Sequence, residues 1–216
     1  MNWIVLIPPS EGKQEGGSNA AIQAHTITQQ LLKEIHQQNP KKLYSSRVEE
    51  AEELNKQVLT AKTLPAIQRY TGVLYKALDY STLNNKEYFN KYVRIPSALF
   101  GLIQANKNIP NYKLPITKLQ AAKKWKEENS KQLTEAFVID LLPQAHKKSV
   151  SYKSGVEIEF TQEKNGKTVR AGHEGKRIKG LFIRWLAENN IKKEQDIYAF
   201  SEEGYSWNGK SFHKQL

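Results

Sequence analysis

A chain of 216 residues is long enough for one sizeable hydrophobic core. Its net charge of +11 points to an anionic partner, nucleic acid ahead of a membrane surface or an anionic small molecule, against the plain alternative that lysine keeps the protein dissolved. The absence of cysteine excludes disulfides, thiolate metal sites and a cysteine nucleophile, and it fits a reducing compartment.

Trp3–Ile7 is a short β-branched run, too short for a signal-peptide core, and it is followed by two prolines without an amide proton to donate. A buried strand therefore ends near Pro8 and a loop begins. Ile27, Leu31 and Ile35 recur at helical spacing until Pro40 stops a first helix. Ser46 and Glu49 have the spacing of a capping box before a second amphipathic helix carrying Val48, Ala51, Leu54 and Val58. Ile67–Tyr80 is ambiguous between helix and strand. The stretch "EYFNKYV" reads as a short helix leading into "VRIPSALFGLI", a central strand interrupted by Pro96, and "NIPNYKLPITKL" reads as a loop. A helix follows in "AAKKWKEENSKQLTEAF", then a strand over Phe137–Leu142 that Pro143 closes.

In the last third, Val156–Phe160 and Lys167–Ala171 alternate on either side of Asn165-Gly166, a hairpin signal. Ile178, Leu181, Phe182, Trp185 and Leu186 place an apolar stripe on a helix that starts near Lys176, and Asp196–Phe200 reads as a strand. No linker, repeat or bilayer-length apolar run interrupts this order, so one cytoplasmic domain over 1–216 is expected, with no membrane association.

Three polar clusters stand out. Ser10, Glu11 and Lys13 follow the first strand, where open α/β sheets carry ligand groups, although an ordinary solvated turn fits equally well. The full Gly-x-x-x-x-Gly-Lys spacing of a phosphate loop is absent. Lys76 has Tyr75, Asp79 and Tyr80 nearby; on a helix it shares a face with Asp79 or Tyr80, an arrangement suited to proton transfer but more often a surface ion pair of little consequence. In "GHEGKRIKG", His173 and Glu174 precede Lys176, Arg177 and Lys179. Cations in a first turn oppose the helix macrodipole, a locally unfavourable choice that suits an anion site. Arg177 and Arg184 are seven apart, away from the stripe near Trp185, and are expected to be free for binding. Tyr205 and Trp207 suit base stacking or packing. The five histidines have no zinc-site spacing, and no metal or other cofactor is expected.

In order, "PPSEGK", "YTGVLYKALDY", "SALFGLI", "NYKLPI", "GHEGKRIKGLFIRWLAEN" and "FSEEGYSW" resemble blocks of the YaaA-type peroxide-stress protein family. Pro-Ser-Glu-Gly-Lys replaces that family's usual Ser-Pro-Ala-Lys. The resemblance implies an α+β (mixed α/β) single domain with a bent mixed sheet flanked by helices. It also implies DNA binding through a positive cleft and a helix-hairpin-helix-like element, and a role in limiting damage from peroxide and free iron. On this reading Lys13, Lys76, Lys113, Lys176, Arg177, Lys179 and Arg184 meet DNA phosphates with little sequence preference, and the protein is a monomer. The alternative is an enzyme acting on a phosphorylated or nucleotide-like anion, with Glu11, Lys13 and Lys76 as catalytic candidates. Ser10, Tyr75, Asp79, His173, Glu174 and Tyr205 would then line its pocket.

Overall fold

The computed structural model describes residues 2–19 and 22–215. Strand β1 (Asn2–Leu6) is buried from Trp3 onward and leaves the sheet at the two prolines. Helices α1 (Thr26–Gln37), α2 (Pro40–Leu43) and α3 (Val48–Lys56) follow. The capping box at Ser46 does not form: Arg47 is the N-cap, in a left-handed conformation with no side-chain cap bond, so Ser46 lies one residue out of register.

Strand β2 (Thr63–Pro65), α4 (Ala66–Arg69) and α5 (Val73–Leu78) resolve the ambiguous segment as two short helices. After α6 (Lys86–Tyr92), β3 (Val93–Ser97) and β4 (Gly101–Gln104) form an antiparallel pair in place of one interrupted strand. Pro96 is tolerated because β1, on the other side of β3, pairs only as far as Arg94. The expected loop contains β5 (Asn108–Pro110), antiparallel to β2.

Helix α7 (Ala121–Lys131) leads to β6 (Ala136–Asp140), α8 (Gln144–Lys147) and β7 (Ser154–Glu157). The main sheet has the order β4-β3-β1-β6-β7, with β1 parallel to both β3 and β6, and β7 parallel to β6. The chain moves from β1 to one side, then returns to its other side. The loops after β1 and β6 thus meet at the switch point where such sheets open a crevice.

The Asn165-Gly166 turn joins β8 (Phe160–Lys164) to β9 (Lys167–Arg170). The hairpin's first strand starts later than the alternation suggested, because Val156 belongs to β7 of the main sheet. Helix α9 (Gly172–Glu188) begins four residues before the expected start at Lys176, so its first turn holds Glu174 and not the expected cations, and it buries Ile178, Phe182 and Leu186. Asp196–Phe200 is not a strand: α10 (Glu194–Ile197) ends within it and a turn follows, and Phe200 packs edge-on against Phe160, Phe182 and Phe212. Strands β10 (Tyr205–Trp207) and β11 (Phe212–Lys214) complete a second sheet of order β10-β11-β8-β9. The fold is thus a mixed α/β domain with several sheets flanked by helices. No described helix is long and apolar enough to cross a membrane.

Candidate functional site

The loop after β1 separates two cavities. One, of about 500 Å³, opens toward α2 and Lys113; the other, of about 710 Å³, opens toward α5 and α9. Pro9, Ser10, Glu11 and His146 line both, so the two share a wall. Local contacts hold that wall in place. Tyr75 donates from its hydroxyl to the Pro8 carbonyl at 2.9 Å, Thr71 N donates to Gly12 O at 3.0 Å, and Gln14 N donates to Arg69 O at 2.7 Å. Gly72 has φ +116°, a conformation that needs glycine, and a Cβ there would approach Ser10 Oγ to 3.0 Å. Buried Arg69 fastens the far end of the loop, donating to Gly16 O and Lys62 O at 2.9 Å, to Ile109 O at 3.2 Å, and to Gln14 O.

Lys13 lies on the wall of the first cavity. Its Nζ is 4.3 Å from the Tyr112 ring centroid and 5.5 Å from that of Tyr70, and it donates to Ser10 O and Glu11 O at 3.5 and 3.4 Å. Burial, then the charge of Lys113, pulls its pKa down to about 7; Glu11 opposes and Arg69 reinforces the shift. Tyr112 bridges the hydroxyls of Tyr70 (3.0 Å) and Ser97 (2.7 Å), and burial raises both tyrosine pKa values. In the second cavity Lys179 donates to Leu141 O at 2.7 Å, and burial lowers its pKa to about 8 against the pull of Asp140. His146, between the cavities, has a buried Nδ1 with no hydrogen-bond partner among the described residues, and burial lowers its pKa to about 4.

Charge is unevenly spread over these walls. Lys13, Lys41, Lys42, Lys113 and Lys118 line the first cavity and Lys147, Arg170, Lys176 and Lys179 the second, while among the described residues Glu11 and Glu159 are the only carboxylate-bearing ones lining either. Lys147 pairs with Glu157, and Arg170 with Glu159 at 2.6 Å. Lys41, Lys42, Lys113, Lys118 and Lys176 make no ion pair among the described residues.

Of the residues singled out in the sequence, Ser10, Glu11, Lys13, Tyr75, Lys113, Lys176 and Lys179 line this divided cleft. Lys76, Asp79, His173, Glu174 and Tyr205 line neither cavity. Lys76 is exposed on α5, Asp79 accepts from Ser81 and Thr82 past its end, Glu174 pairs with Lys214 at 2.7 Å, and Tyr205 is buried. The expectation that Arg177 and Arg184 are free is corrected. Arg177 pairs with Glu203. Arg184 caps the carbonyl end of α5, donating to Leu78 O and Asp79 O at 3.1 Å, and pairs with Glu188 at 2.7 Å. Sequence reasoning missed Lys41, Lys42, Lys118, His146, Lys147 and Arg170. The local signals beside them, Pro40, the loop that contains Lys118, Pro143 and the alternating run that contains Arg170, marked turns and elements and gave no hint of a wall.

The model of a family described as peroxide stress protein YaaA matches residues 3–211, a span that includes every cleft residue named above. The chain belongs to this family. Among its relatives, a UPF0246 protein of Corynebacterium glutamicum strain R is 31% identical over 227 aligned residues, covering 92% of this chain and 91% of the relative. A UPF0246 protein of Francisella tularensis subsp. novicida is 30% identical over 162 residues, covering 66% of this chain and 64% of the relative.

Proposed function

We propose that this peroxide-stress family member acts in the cytoplasm as a monomer that holds DNA by its phosphates in the divided cleft, limiting damage where peroxide and free iron meet. The observation that carries this reading is the lining: nine lysine and arginine side chains against two carboxylates. Such a cleft focuses positive potential, and each lysine that meets a phosphate releases condensed counterions. Lysine is a flexible point charge without the flat fork that reads base edges, so little sequence preference is expected.

Arg177 supplies an internal control, because it carries the same charge on the same helix as Lys176 but turns to Glu203 outside the cavities. Anisotropy of a labelled duplex tests the idea: Lys176→Glu should weaken binding severalfold, and Arg177→Glu much less. Equal weakening would reduce the charge to a diffuse surface effect, and unchanged binding in both would remove the proposal.

Lys13 favours a second reading, a site for a phosphorylated or nucleotide-like small molecule bounded by Ser10, Glu11 and Lys13. An amine with a pKa of about 7 on a cavity wall is more than a phosphate counter-charge needs. Lys13→Met that lost peroxide protection while keeping DNA affinity would favour this reading over the first.

A further inference from the structure

We propose that Lys13 is a nucleophilic amine that forms an imine with an aldehyde or ketone bearing a phosphate or similar anionic group, the carbonyl lying beside Tyr112 and the anion reaching the lysines of α2. The inference rests on the small-molecule reading of the first cavity and not on DNA binding.

Four observations support it. The main chain at Lys13 is fixed by a bridge to Tyr70, and the side chain lies against two tyrosine faces on the cavity wall, so the amine is held in place before any ligand arrives. It has no structural task that would consume it. Its two carbonyl contacts are 3.4 and 3.5 Å long and it makes no ion pair among the described residues, whereas Lys179 is tied to Leu141 O at 2.7 Å. The groups around it are Lys113, Arg69, Glu11 and the two tyrosines. Burial with the two cations outweighs Glu11 and leaves about half of the amine deprotonated near pH 7. Finally, Lys41, Lys42 and Lys118 line the same cavity without carboxylate partners among the described residues, which supplies cations for an anion in the cavity that holds the amine.

The step balances without a redox partner. The Nζ lone pair attacks the carbonyl carbon, the C–O π bond opens, and the oxygen takes a proton to give a carbinolamine. Loss of the second amine proton and of the hydroxyl as water leaves a C=N bond, so amine and carbonyl yield imine and one water.

The test is reductive trapping on the full chain with glyceraldehyde 3-phosphate and cyanoborohydride, followed by peptide mapping. An ordinary lysine with a pKa of about 10.4 is deprotonated only to about one part in 2,500 at pH 7. Even after an allowance for weaker basicity, Lys13 should be labelled at least about tenfold faster than the other lysines. The selectivity should vanish in urea, fall with unphosphorylated glyceraldehyde, and show a half-point near pH 7. Labelling of the folded wild type spread over many lysines as in urea overturns the proposal, and that readout needs no variant. Glycerol 3-phosphate, which has no carbonyl, separates the two failures. If it binds in calorimetry and Lys113→Ala weakens it while Lys13 stays unlabelled, the imine falls and the small-molecule site stands. If it does not bind and Lys13 is unlabelled, both fall.

Discussion

Gly180 sits where α9 crosses α5, and a single added methyl tests how tightly that crossing sets the cleft. A Cβ at Gly180 would lie 2.3 Å from Leu74 O, 2.8 Å from Ala77 Cβ and 2.9 Å from Leu78 N. The first and last are backbone atoms of α5, which cannot swing aside as a side-chain tip can. Overpacking costs about 1–3 kcal/mol, and contact with backbone argues for about 3. Alanine recovers about 1 kcal/mol of helix propensity, so Gly180→Ala should destabilise by about 2 kcal/mol, roughly 30-fold in the folding equilibrium. Gly175→Ala on the same helix would meet only Ala171 Cβ at 3.2 Å and should cost less. Urea unfolding followed by circular dichroism measures both. The same displacement should loosen DNA binding, because α9 carries Lys176 and Lys179 and the start of α5 forms the opposite wall. A Gly180→Ala variant as stable as the wild type would refute the crossing as the element that sets the second cavity.

Other perturbations address the loop and its lysine. Arg69→Met removes the donor from the carbonyls of Gln14, Gly16, Lys62 and Ile109 and should destabilise by about 3 kcal/mol in the same urea assay; a cost below about 1 kcal/mol would mean that water replaces the guanidinium there. The pKa of Lys13 is lower in the folded chain than in the unfolded one, so between about pH 7 and its ordinary range the unfolded chain binds more protons and stability rises with pH. Lys13→Met lacks this contribution. Its stability relative to the wild type should therefore be most favourable at pH 7 and below, and should decline toward pH 10; a constant difference would contradict the burial of the amine.

Local signals identified the elements that depend on local chemistry. The two prolines marked the end of β1, Asn165-Gly166 marked the hairpin turn, and the spacing of Ile178, Phe182 and Leu186 marked the buried face of α9. Where tertiary contacts decided, sequence reading failed. Asp196–Phe200 coils because Phe200 fills an aromatic cluster built from distant segments, and Val156 leaves the hairpin because β6 offers it a partner. Ser10, Glu11 and Lys13 were recognisable because they follow a buried strand. Lys41, Lys118, His146 and Lys147 gave no such signal: His146 and Lys147 become wall residues when the segment after β6 meets the loop after β1, and Lys41 and Lys118 when α2 and the segment before α7 close the first cavity. Arg184 shows the converse, since an exposed-looking cation on a helix turned out to cap a neighbouring helix.

Whether the cleft lysines meet phosphates is read from the salt dependence of duplex binding. Lys41, Lys42, Lys113, Lys118 and Lys176 are the cleft cations without a carboxylate or carbonyl tie that would compete, apart from the Lys118 contact to Lys42 O at 2.8 Å. If each contacts one phosphate, the plot of log affinity against log salt should have a slope of about −4 to −5, at about −0.9 per contact. The double variant Lys113→Ala/Lys176→Ala, with one change in each cavity, should flatten that slope by about 2. A wild-type slope near zero, or a slope that the double variant leaves unchanged, would contradict DNA binding in this cleft.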